Sequence, residues 1–192
     1  MDVAGAILAG GQSRRMGRTK ALIEVDGQPM ATHIAQALVA GGCRDVVLVG
    51  GDPIELASLN LSVITDRHPG EGPVGGVLTA LHHYNAASNV VVVACDIPGL
   101  TTRAVERMLD AATKETDVVV AMTDRLEPVL AVWNVQTIAT IEAAFEAGTR
   151  AMHEVLGLLN VATVAIDASE VRNINRPADL LRRTVRDDEG GQ

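Results

Sequence analysis

Apolar, β-branched runs recur along this chain with room for a helix between them, and that alternation leaves few architectures open. The runs are 3–9 (VAGAILA), 45–50 (DVVLVG), 61–65 (LSVIT), 90–95 (VVVVAC), 117–122 (DVVVAM), 129–133 (VLAVW) and 161–167 (VATVAID). Most are too continuous for half-solvated strands and read as strands buried on both faces. Segments of helical period separate them, at 29–40, 74–86, 101–115, 134–146, 149–159 and 177–185. Strands alternating with helices build βαβ units, so the chain is expected to be α/β, a three-layer Rossmann-like fold with a mostly parallel central sheet. At 192 residues and 47% hydrophobic it suits one domain, 1–186, ending in a flexible acidic tail at 187–192.

Composition removes several classes of function. Tyr84, Trp133 and Phe145 are the only aromatic residues. The core must be Val, Ile, Leu and Ala, and no stacking platform for single-stranded nucleic acid is available. A net charge of −8 gives no reason to bind a phosphate polymer, so no nucleic-acid partner is expected. Cys43 and Cys95 have no metal-ligand spacing and read as buried free thiols of a reducing compartment. No apolar run approaches the roughly 20 residues that span a bilayer, and no secretory signal is evident, so the expectation is a cytoplasmic protein without membrane contact.

Against that acidic background, Arg14, Arg15, Arg18 and Lys20 follow the glycine pair Gly10–Gly11 at the end of the first strand. Without a Cβ the backbone can come close to a ligand, and its N–H groups can point at anionic oxygens. Arg supplies a planar fork and Lys a point charge, a set suited to a nucleotide phosphate chain. A solvated basic loop is the competing reading of the charges alone. The glycines are adjacent, so this is not G-x-G-x-x-G, and Met16 and Lys20 stand off the P-loop spacing.

The whole pattern L-A-G-G-x-S-R-R-M-G-x-x-K, Leu8 to Lys20, resembles the N-terminal signature of nucleotidyltransferases that activate small phosphorylated compounds. It is most similar to the molybdenum cofactor guanylyltransferases (MobA-type). The blocks GPVGGVLTAL (72–81), ACDIPGLT (94–101), EPVLAVWN (127–134), AGTRAMHEVL (147–156) and VRNINRPADL (171–180) resemble later blocks of that family in the same order. The resemblance implies transfer of GMP from GTP to molybdopterin, with release of pyrophosphate and with Mg²⁺ as cofactor. It implies nucleotide contacts at Leu8, Ala9, Gly10, Gly11, Lys20, Asp66 and Asp96, and acceptor contacts at Asn173 and Asn175. Arg15, Lys20 and Asp96 are the implied catalytic residues. Cofactor-inserting proteins or molybdoenzyme targets are implied as downstream partners. A cytidylyltransferase of the same cofactor, a sugar-phosphate nucleotidyltransferase and a non-catalytic nucleotide-binding protein are the alternatives.

The residues themselves leave two roles open at each carboxylate. Asp96 stands just past the strand 90–95. There it can hold Mg²⁺ against phosphate oxygens, or cap the helix that begins near Thr101 and Thr102. Asp66 can shape a turn or contact the nucleotide. The glycines around Pro73 can admit a ligand at a helix start or simply allow tight packing. His68 reads as an exposed loop residue. The segments 66–73 and 123–128 are expected to be loops. Two positions depart from the family pattern: Gly50 stands where an Asn is common, and Glu127 where a His is common before Pro128.

Overall fold

A computed structural model describes residues 2–10 and 19–171. The predicted helix over 177–185, the acidic tail, and Gly11, Arg15, Asn173 and Asn175 lie outside the described residues. The strands are β1 (Val3–Leu8), β2 (Glu24–Val25), β3 (Gln28–Pro29), β4 (Val46–Val49), β5 (Ser62–Ile64), β6 (Asn89–Ala94), β7 (Val118–Met122), β8 (Leu126–Asn134) and β9 (Val161–Ala165). The α-helices are α1 (Met30–Ala40), α2 (Pro53–Leu56), α3 (Pro73–His83), α4 (Thr102–Asp110), α5 (Ile138–Glu146) and α6 (Met152–Leu156).

Among the described residues, seven strands form one sheet in the order β5-β4-β1-β6-β8-β7-β9. β8 alone is reversed, antiparallel to both β6 and β7, and the remaining pairs are parallel. Successive side chains of a strand point to opposite faces, and the core divides accordingly. Val3, Ile7, Val91, Val93 and Val132 join α1 and α4 on one side. Ala4, Ala6, Val90, Val92 and Trp133 join α3, α5 and α6 on the other. The result is the expected three-layer α/β arrangement with a mostly parallel sheet.

Three local features differ from expectation. β2 and β3 form a small hairpin, and its turn is Asp26–Gly27, with φ of 50° and 78°; Asp-Gly suits such a two-residue turn. A short helix, α2, begins where Asp52 Oδ1 accepts from the Ile54 N–H at 2.8 Å, with Pro53 in its first turn. The predicted loop 123–128 shrinks to 123–125, because β8 starts at Leu126. The β7–β8 register jumps from Val120–Ala131 to Ala121–Glu127, so the ladder is interrupted at 128–130. Pro128 has no N–H to give a ladder, which suits that interruption. Glu127 carried no apolar signal, yet it is buried, and its carboxylate takes hydrogen bonds from Thr123 Oγ1 (3.2 Å) and Arg125 Nε (3.1 Å).

Three measurements test this packing. A methyl group on Gly41, at the end of α1, would lie 2.6 Å from Val105 of α4 and 3.0 Å from the Ala37 carbonyl. The backbone there (φ −81°) suits alanine, so the objection is steric. Gly41→Ala should lower stability in urea by about 1–3 kcal/mol, the usual cost of overpacking. Burial also pushes the Cys43 thiol from 9.0 up to about 12. The unfolded thiol ionises first, so the stabilisation from burying the neutral group is whole below pH 9 and is lost as pH rises toward 12. The stability advantage of wild type over Cys43→Ala should therefore shrink across that window, and the native thiol should resist alkylation at pH 8 that labels the unfolded chain.

Candidate active site

The strand order places a switch point beside β1: the chain runs outward from β1 through β4 to β5, then returns by α3 to β6 on β1's other side. Open α/β sheets bind ligands at the carboxyl ends of strands at such a point. Leu8 is level with Val49 on one side and Ala94 on the other, and Val49 is level with Ile64. The residues just past these strand ends therefore share one rim. A cavity of about 780 Å³ opens there, lined by Leu8, Gly10, Lys20, Asp66, Gly72 and Asp96 among others. That is a fitting volume for a small-molecule site.

Lys20 comes from the 3₁₀ turn Lys20–Leu22. Its Nζ donates to Asp96 Oδ2 at 2.9 Å, with side-chain exposures of 20% and 15%. The helix-capping reading of Asp96 falls away, because Thr101 caps α4, its Oγ1 accepting from the Ala104 N–H at 3.1 Å. Asp96 Oδ1 is buried and has no hydrogen-bond partner among the described residues. A buried carboxylate oxygen without a donor suits a cation. No cluster of three or more His, Cys, Asp or Glu residues stands ready for a metal among the described residues. One carboxylate is nonetheless a fitting protein contribution for Mg²⁺, which takes its other ligands from water and substrate phosphates.

Asp66 serves as turn former and cavity residue together. Its Oδ1 accepts from the His68 N–H at 3.0 Å and from Thr79 Oγ1 at 2.9 Å, while the side chain lines the cavity. His68 is half-buried rather than exposed, its ring centroid 4.6 Å from that of Phe145. The same loop is tied down at Glu71, whose carboxylate accepts from Arg150 Nε at 2.6 Å; the Arg150 guanidinium sits 3.7 Å from the centre of the Phe145 ring. Glycines around Pro73 line the cavity and also allow tight packing. Gly72 (φ 83°) opens α3 at the cavity, and a Cβ on Gly76 would meet Leu8 at 2.9 Å.

Gly50 is explained by its backbone. It has φ 73°, and an added Cβ would lie 3.0 Å from Gly10 Cα. Its N–H is committed to the Ile64 carbonyl at 2.9 Å, so it is not available to replace an Asn side chain at a nucleotide. Ala9 is buried, with its N–H on the Val49 carbonyl at 2.9 Å, and packs behind the rim between Leu8 and Gly10. Glu127 is absent from the cavity lining. Sequence reasoning missed Thr79, Val129 and Cys95. A lone Thr in the buried face of α3 was a readable signal for Thr79. Val129 is brought to the cavity beside a ladder interruption that apolar patterning does not encode. Cys95 is a lining residue whose thiol is pushed up to about 12, mainly by burial and further by the Asp96 charge.

Residues 5–163 match the MobA-like NTP transferase domain. The chain is 35% identical to a molybdenum cofactor guanylyltransferase of Rhodobacter capsulatus, across 95% of each chain. It is 34% identical to the protein of the same name from Shewanella putrefaciens, across 91% of this chain and 92% of that one. The crystal structure of molybdopterin-guanine dinucleotide biosynthesis protein A from Archaeoglobus fulgidus superposes with a TM-score of 0.78 at 26% identity, covering 98% of this chain and all of that one. By that match over most of its length and by these relatives, the chain belongs to the MobA-like NTP transferase family.

Proposed function

We propose that this chain transfers GMP from GTP to the terminal phosphate of the molybdopterin (molybdenum) cofactor, releasing pyrophosphate and forming the guanine dinucleotide cofactor. The observation that carries this reading is the Asp96 carboxylate at the rim, with one oxygen on Lys20 and the other buried without a donor among the described residues. The names of the relatives supply the guanine nucleotide and the pterin acceptor.

In this reaction an oxygen of the acceptor phosphate forms a bond to the α-phosphorus of GTP. The bond from that phosphorus to the bridging oxygen breaks, and its electron pair leaves with pyrophosphate. An ionised phosphate is already a nucleophile, so no side chain has to remove a proton. The chain's work is orientation and charge neutralisation. Lys20 provides a point charge for the phosphates. Leu8, Ala9, Gly10 and Gly11 form the nucleotide side of the site, Arg15 supplies charge for the departing pyrophosphate, and Asp66 contacts the nucleoside. Asn173 and Asn175 take the pterin side; neutral amides offer donors and acceptors there without adding charge. Asp96 would hold Mg²⁺, which when bound neutralises charge on the α-phosphate and the leaving pyrophosphate.

Pyrophosphate release from GTP in the presence of Mg²⁺ and molybdenum-loaded pterin cofactor tests the proposal directly. Running CTP, UTP and ATP alongside separates it from cytidylyl and sugar-phosphate transfer. No release despite tight GTP binding would favour a non-catalytic nucleotide-binding protein. Asp96→Asn should fold normally and lose nearly all turnover, since the carboxylate charge that anchors the metal is gone. Near-normal turnover at saturating GTP and Mg²⁺ would remove Asp96 from the chemistry. Lys20→Ala should raise the GTP requirement and lower turnover by roughly 10²-fold, the usual scale for one preorganised charge contact.

A further inference from the structure

We propose that Thr79 is a positioning residue for the nucleotide, acting through Asp66; this rests on the nucleotide reading of the cavity. Thr79 lies in α3 with only 2% of its surface exposed. Its hydroxyl has three neighbours: Asp66 Oδ1 at 2.9 Å, the Gly75 carbonyl at 2.9 Å and the Arg67 N–H at 3.0 Å. A hydroxyl has one proton to give and lone pairs to receive. It therefore accepts from Arg67 and donates to one of the two oxygens. The Gly75 carbonyl is already the i−4 acceptor of the helix, whereas the carboxylate offers a charge-assisted bond, so the proton goes to Asp66.

The consequence is a division of labour between the two Asp66 oxygens. Oδ1 is satisfied inside the protein by Thr79 and by the His68 N–H. Oδ2 is turned toward the backbone of Gly10, where a Cβ on that glycine would lie 3.8 Å away. Among the described cavity-lining residues Asp66, Asp96 and Lys20 carry the charges, and Lys20 is bonded to Asp96. Gly50 brings no side chain of its own to this end of the site. Asp66 Oδ2 is thus a side-chain acceptor on the Gly10 side, and Thr79 determines where it points. It presents a single lone-pair-rich oxygen to an N–H or O–H of the nucleoside.

Calorimetric titration of the full chain with GTP–Mg²⁺, and separately with inorganic pyrophosphate–Mg²⁺, tests this role. Thr79→Val keeps the shape and removes the hydroxyl. It should weaken GTP binding roughly tenfold or more, the range for a lost bond to a charged group, and leave pyrophosphate binding within about twofold. Thr79→Ser should restore GTP binding. In an Asp66→Ala background, Thr79→Val should cause no further loss of GTP affinity, because the carboxylate it orients is gone. Wild-type GTP binding by Thr79→Val would overturn the proposal. So would an equal loss for both ligands that persists in the Asp66→Ala background, since that marks a packing role alone. Failure of the wild-type chain to bind GTP would overturn the nucleotide reading itself, and this assignment with it.

Discussion

The parallel register of β1 against both β4 and β6 is the constraint on which the site depends. Leu8 meets Val49 across one ladder and Ala94 across the other, and β5 continues the same line through Ile64. Backbone hydrogen bonds in a buried sheet have no water to fall back on, so this alignment is rigid. Gly10, Gly50, Asp66 and Asp96 then emerge at one level although they are scattered through the first half of the chain. A slip of one residue in any of these strands would turn its side chains to the other face and misplace its contribution to the rim. Gly10 and Gly50 add a second constraint: their backbones approach so closely that a Cβ on Gly50 would lie 3.0 Å from Gly10 Cα.

Charge is handled with the same economy. The chain is acidic overall, with a net charge of −8, yet its cavity must accept an anion under the proposed function. Lys20 offsets Asp96 within the cavity, and both side chains are largely shielded from solvent. A pair of this kind recovers little beyond its desolvation cost, but removing one partner leaves the other charge uncompensated. Its value therefore lies in arrangement more than in stability. Asp66 is handled differently. One of its oxygens, Oδ1, is hydrogen-bonded by neutral donors, Thr79 and the His68 N–H.

Much of this was legible beforehand. The apolar runs at 3–9, 45–50, 61–65, 90–95 and 117–122 became five neighbouring or near-neighbouring strands of the sheet. They could be read because burial on both faces demands uninterrupted Val, Ile, Leu and Ala. Lys20, Asp66 and Asp96 could be read because glycines, charges and strand ends coincide in the sequence. The start of β8 could not, since Glu127 is a buried strand residue whose local partners, Thr123 and Arg125, satisfy its charge. His68 was misread as exposed because its neighbour Phe145 lies on α5, remote in the chain.

The sequence by itself determined the alternation of strand and helix, the apolar filling of both core layers, and which side chains were chemically able to meet a phosphate. Those properties follow from local composition and period, which act on neighbouring residues. Only the tertiary structure decided that Lys20 would meet Asp96 rather than solvent, that Gly50 would spend its N–H on Ile64, and that Thr79 would turn one oxygen of Asp66 away from the cavity. These are contacts between residues 13 to 76 positions apart. They exist because strand register brings the ends of β1, β5 and β6 to one rim, and no pattern within a single segment encodes that alignment.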